Sequence, residues 1–169
     1  MSETRLLQLE LQDRSLHALL LAVQKALSRS GYGDVQFLGR RRPRQKSRFG
    51  GHDLVCETVM GPNLHRTVVK VLRDSVRTRH LDELAGAVIR TGADSGIVVS
   101  PFPQTKEVAR HLGSGRAARV HVVAGADMAE WFAGFGVGTT KDGRLDRQYF
   151  LDLEVAAEQV EEFLAKEGV

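Results

Sequence analysis

Residues His52–Leu72 read HDLVCETVMGPNLHRTVVKVL. His52–Met60 and Thr67–Leu72 are rich in β-forming residues, and Gly61-Pro62-Asn63 between them has the chemistry of a turn. The two segments predict an antiparallel hairpin. Upstream, Asp34–Leu38 (DVQFL) alternates and adds a third strand, making a meander. Downstream the period changes. Leu81, Leu84, Ala85, Val88 and Ile89 share one helical face of Thr78–Thr91. Gly96–Ser100 (GIVVS) is the short apolar run expected of a strand buried on both faces. Thr105–Leu112 reads as a helix, Val120–Val123 as a strand, and Gly125–Phe135 as a helix with a core stripe of Met128, Trp131 and Phe132. From Thr67 the order is therefore β-α-β-α-β-α, which builds parallel pairing. The reading is an α/β fold, a mixed central sheet flanked by helices, with its antiparallel part first.

The flanks extend this frame. Residues 6–11 alternate weakly through Leu7, Leu9 and Leu11, so residues 1–14 are expected to form an N-terminal arm or short strand. Asp13 or Ser15 can cap a helix carrying Leu16, Leu19, Leu20, Val23 and Leu27 on one stripe, stopped by Gly31. Residues 15–137 make the main domain. Residues 138–169 are expected to be a loop and a C-terminal helix, Asp152–Glu167, packed on the same domain with Val155, Val160, Phe163 and Leu164 inward.

The 169 residues suit one domain, and a 42% hydrophobic share is enough for a core. One cysteine, Cys56, excludes an intramolecular disulfide and fits a reducing compartment. No apolar run approaches the ~18 residues of a membrane span, and the first residues lack signal-peptide character, so a cytoplasmic location is expected. The net charge of +3 conceals a local concentration. Residues 40–48 (RRRPRQKSR) hold six cations (Arg40, Arg41, Arg42, Arg44, Lys46 and Arg48) and no acid, which leaves 18 cations against 21 acids elsewhere. A dense single-signed run rich in arginine suits bidentate contact with phosphates. No aromatic interleaves it, so the expected partner is duplex or structured DNA gripped through its backbone, with little base readout. As an alternative, the run is a solvated loop.

The hairpin also carries candidate chemistry. Metal-dependent phosphodiester cleavage needs oxygen ligands for a hard cation and a positive group near the attacked phosphate. Asp53, Val55 and Glu57 share one face of their strand, and Val68 and Lys70 share one face of its partner. An acid and a lysine on paired strands then face the same side if register allows. Lysine in the middle of TVVKVL is unusual, because lysine is rarely buried without a reason. Their structural alternatives are a strand-start acid for Asp53 and an edge-strand guard for Lys70. The six histidines lack zinc-type spacing. Cys56 reads as a core residue, and Gly134–Gly138 (GFGVG) follows a helix where a dinucleotide loop would follow a strand.

Several stretches resemble the Mrr-type catalytic domain of the PD-(D/E)xK, restriction endonuclease-like superfamily. They are Gly31–Val35, Gly50–Val55, Val68–Lys70, Leu81–Ala87, Gly92–Ser100 and Val123–Glu130, and the resemblance as a whole covers residues 15–137. The resemblance implies a restriction endonuclease-like αβββαβ core and a Mg²⁺ (or Mn²⁺) cofactor if the site is active. It places the family's metal-binding aspartate on Asp53 and its catalytic lysine on Lys70. Two family positions depart: the Glu or Gln two residues before the lysine is Val68, and the first-helix glutamate falls at about Leu20. Glu57 is a candidate migrated ligand, although four residues along a strand is roughly 13 Å.

The leading reading is a DNA-binding protein with a partly degenerate site, contacting the phosphate backbone through residues 40–48, because two expected acids are lost. The alternative, favoured by retention of Asp53 and Lys70, is an active Mg²⁺-dependent DNA endonuclease of the Mrr type. A protein-interaction scaffold, with a homodimer through an apolar face, is the third reading.

Overall fold

The computed structural model describes residues 1–37, 52–115 and 119–166. The basic run, with Arg40, Arg41, Arg42, Arg44, Lys46 and Arg48, lies outside the described residues.

Helices α1 (Glu3–Gln12) and α2 (Leu16–Arg29) lead into strands β1 (Gly33–Phe37), β2 (Leu54–Met60) and β3 (Asn63–Val71). Then α3 (Thr78–Thr91), β4 (Ser95–Ser100), α4 (Lys106–Gly113), β5 (Val120–Ala124), α5 (Ala126–Gly134) and α6 (Arg147–Lys166) complete the chain. The five strands form one sheet in the order β1-β2-β3-β4-β5. β1, β2 and β3 pair antiparallel, and β3, β4 and β5 pair parallel. This is the mixed α/β architecture expected from the sequence.

The hairpin turns where Met60 faces Asn63, and Gly61 has a φ of +60° that a residue with Cβ rarely adopts. Strand alternation then divides the core. Leu54, Cys56, Val69, Val71 and Val99 point to the face covered by α1, α2, α5 and α6. Val68 and Val98 point to the other face, under Leu81, Leu84 and Val88 of α3 and Val108 of α4. Gly96 fits this second layer because a Cβ there would lie 2.9 Å from Leu84.

Three expectations need correction. Residues 1–14 are not an arm or strand but carry α1. Ser2 caps it by accepting the Arg5 N–H at 3.2 Å, and Leu7 and Leu11, one turn apart, are fully buried in the main core. The weak alternation misled because Leu9, in step with Leu7 and Leu11 on a strand, falls on the exposed side of a helix. Helix α6 starts at Arg147, five residues before the expected Asp152. Its inward face is Phe150, Leu153 and Ala157, and Val155 and Phe163 are exposed. Lastly, Ile89 in α3 is 79% exposed and lies outside the buried stripe.

The loop between α5 and α6 is locked by a close approach at Gly138. Its φ is +76°, and a Cβ there would lie 2.8 Å from the Phe150 ring and 2.9 Å from Leu7. Gly138→Ala is therefore expected to cost at least about 2 kcal/mol, from backbone strain and overpacking together. Urea unfolding of the variant beside wild type measures this. An unchanged midpoint would contradict it.

Candidate active site

β2 begins its ladder with β3 one residue after Asp53. The Asp53 N–H donates to the Val69 carbonyl at 2.7 Å, and its carboxylate Oδ2 accepts the Val71 N–H at 2.8 Å. The carboxylate thus takes the place a ladder carbonyl would have had. Its bond reaches the residue that follows Lys70. Both Asp53 (4% exposed) and Lys70 (8%) are buried. Lys70 alternates with Val69 and Val71, so its side chain lies on the α3 side of the sheet. There its Nζ meets Glu83 Oε2 of α3 at 3.1 Å.

His80, one turn into α3, borders the same place. Its Nδ1 accepts the Arg77 N–H at 3.0 Å, so the neutral ring carries its proton on Nε2. Burial pushes its imidazole below the ordinary value, and the Arg79 and Lys70 cations push the same way against Glu83 and Asp74. His80 is thereby kept neutral where another cation would repel Lys70.

The structure therefore brings Asp53 to the backbone beside Lys70, at the carboxyl end of parallel strand β3. In open α/β sheets ligands collect at the carboxyl ends of strands. Glu57 is not brought there. It pairs with Arg66 across the hairpin at 3.3 Å, toward the opposite end of the strand. Val68, where the resemblance expects an acid, is fully buried in the α3-side core. Leu20, the other departed position, is buried in the core on the opposite face.

Sequence reasoning misses Glu83, which meets Lys70, and His80, which feels the Lys70 and Glu83 charges. Glu83 directly precedes Leu84 of the apolar stripe, but spacing alone does not say which helix residue overhangs a strand end.

Two other arrays are structural. His65 Nε2 lies 3.0 Å from Ser95 Oγ, as in a nucleophile–base pair, but Asp94 stands 4.0 Å from Nδ1, beyond a hydrogen bond. Ser95 Oγ is also tied to Thr67 Oγ1 at 3.1 Å, so these residues form a cross-strand polar ladder. Cys56 is fully buried, and burial pushes its thiol up to about 11. Its thiolate is negligible at pH 7 to 9. Cys56 is accordingly expected to resist an aromatic disulfide reagent in the native protein and to react fully in guanidinium. Rapid reaction under native conditions would contradict its burial.

A divalent cation can be tested against this donor set. Among the described residues no group of three or more His, Cys, Asp and Glu side chains gathers as a cage. Mg²⁺ does not require one, because it keeps several waters and takes one or two carboxylates plus substrate phosphates. Asp53, oriented by the Val71 N–H, fits that demand.

Comparison with known proteins bears on the fold and the family. The family model Mrr_cat, described as "Restriction endonuclease", matches residues 11–132. No curated protein matches the chain. Among solved structures, the MspJI restriction endonuclease in complex with a 27-mer oligonucleotide superposes with a TM-score of 0.51 at 15% identity. The match covers 91% of this chain and 32% of that one, so this chain spans about a third of its neighbour's length. At that identity the likeness is one of fold. Taken with the sheet order and the family match over most of the chain, it leads to one assignment: this chain belongs to the Mrr catalytic-domain family of restriction endonucleases.

Proposed function

We propose that the chain is a DNA-cleaving domain that hydrolyses a phosphodiester with the help of a divalent cation at Asp53. The observation that carries this reading is a buried lysine, its ammonium held by Glu83, on the strand end whose next backbone N–H, that of Val71, orients the buried Asp53 carboxylate. A bound Mg²⁺ or Mn²⁺ would supply Lewis-acid polarisation of the phosphoryl oxygen. The protein's own part is positional and electrostatic. Asp53 fixes one ligand oxygen through the Val71 N–H. Lys70 presents N–H donors to the attacked phosphate or the entering water, where negative charge grows. Glu83 keeps that ammonium from turning away. His80 stays neutral and adds no competing charge. Arg40, Arg41, Arg42, Arg44, Lys46 and Arg48, which precede Asp53 in the chain, would hold the DNA backbone. The neighbour with an oligonucleotide bound supports a DNA substrate.

Val68 favours a second reading, in which the fold binds DNA without cutting it, because the apolar side chain removes a family acid from β3. One experiment separates them. Purified protein is incubated with supercoiled plasmid in Mg²⁺, Mn²⁺ or EDTA, and DNA retention is measured against salt. Nicking that needs the cation supports cleavage. Retention without nicking selects the binding reading; its log–log salt slope should be about −0.9 for each phosphate neutralised. Neither nicking nor retention at low salt sinks both.

A further inference from the structure

We infer that the chain holds a second ligand site, for a small phosphomonoester with a planar or apolar body, at the end of the sheet away from Asp53 and Lys70. A cavity of about 380 Å³ opens there, inside the roughly 300–1,000 Å³ range of small-molecule sites. Register builds its wall across the sheet: Thr58 of β2 faces His65 of β3, Thr67 faces Ser95 of β4, and Ile97 faces His121 of β5. Alternation turns Thr58, His65, Ser95 and His121 to the face on which Cys56, Val69 and Val99 are buried under helices. None of the described residues around the cavity is helical, so here that face meets open space. His65 precedes Lys70 on β3 by about 16 Å of strand and lies on the opposite face. The site does not depend on cleavage at Asp53.

Several polar groups of the wall lack partners. Among the described residues, the Arg119 guanidinium and the His121 ring have no hydrogen bond or ion pair, and Thr58 Oγ1 is closed from water with no partner. A buried hydroxyl left so calls for an explanation, and one χ1 rotation would turn it from its present place. Burial, and then Cys56, push the Tyr32 phenol above its ordinary value, so it stays a donor. Asp94, the one acid among these described residues, is engaged: its Oδ2 accepts the Arg66 N–H at 2.8 Å. The unengaged groups are therefore chiefly donors, and they suit an acceptor-rich anion. An arginine fork matches phosphate, whose three terminal oxygens take more donors than a carboxylate's two. Met60 (58% exposed) and Ile97, with Tyr32, offer apolar surface for the rest of the ligand. The competing role is a solvated sheet end that binds nothing.

The test is calorimetric titration of the whole chain, in EDTA, with a 5′-deoxynucleoside monophosphate, the matching nucleoside and inorganic phosphate. The nucleotide should bind one per chain, and each of its fragments at least about tenfold more weakly. Arg119→Gln, at an exposed position, should weaken nucleotide binding at least about tenfold, the scale of one hydrogen bond to a charged group. Lys70→Met should bind the nucleotide as wild type does. Thermal melting of each variant checks its folding. If Lys70→Met loses the nucleotide and Arg119→Gln keeps it, the ligand sits at the candidate active site and the second site falls. Inorganic phosphate binding as tightly as the nucleotide overturns the place given to a ligand body. No binding of any of the three probes at millimolar concentration overturns the proposal outright.

Discussion

Asp53→Asn and Lys70→Met should each lower metal-dependent nicking at least about 100-fold, the scale seen when one preorganised electrostatic group is removed from an active site. The two changes are small in structural terms. An asparagine at 53 can still accept the Val71 N–H through its side-chain oxygen, so the end of β2 keeps its anchor. Methionine at 70 keeps an apolar stem against α3 and leaves Glu83, half exposed, to water. Both variants are thus expected to melt within a few degrees of wild type. Single-turnover nicking and thermal melting on the same preparations provide the check. Wild-type nicking in either variant would remove that residue from the chemistry.

The second large effect concerns stability. Phe150→Ala should cost about 3–5 kcal/mol and lower Tm by about 10 °C. Phe150 is 2% exposed and joins α6 to the core beside Leu7 and Gly138. Its ring meets Tyr149 edge-on at 5.2 Å, and the Arg14 guanidinium lies 5.6 Å above it. Such a loss is a large part of a typical domain's 5–15 kcal/mol. The expectation matters because α6 follows the end of the family match at residue 132. A cost below about 1 kcal/mol would mean that α6 is an appendage and not part of the folding unit.

Strong periodicity made most of the fold legible. The β2–β3 hairpin could be read because Gly61-Pro62 separates two β-rich runs, and α3 because Leu81, Leu84 and Val88 recur at helical spacing. α1 was not legible: Leu7, Leu9 and Leu11 fit a strand, and only burial of Leu7 and Leu11 against the rest of the molecule decides for a helix. In α6, Val155 and Phe163 are apolar yet exposed, so hydrophobicity alone chose the wrong face. The candidate site divides in the same way. Asp53 and Lys70 stood out as an acid after Gly-Gly and a cation within an apolar strand. Glu83 carried no such signal, because its place beside Lys70 depends on how α3 crosses the sheet.

The central claim is that Asp53 and Lys70 serve the same phosphodiester. A double-mutant cycle measures this most directly, from single-turnover nicking by wild type, Asp53→Asn, Lys70→Met and the double variant in Mn²⁺. Groups that act as one unit are strongly non-additive. The account predicts that the double variant is no slower than the slower single variant, to within a few-fold. Losses that multiply in full, or an Asp53→Asn protein that nicks as fast as wild type, would contradict it.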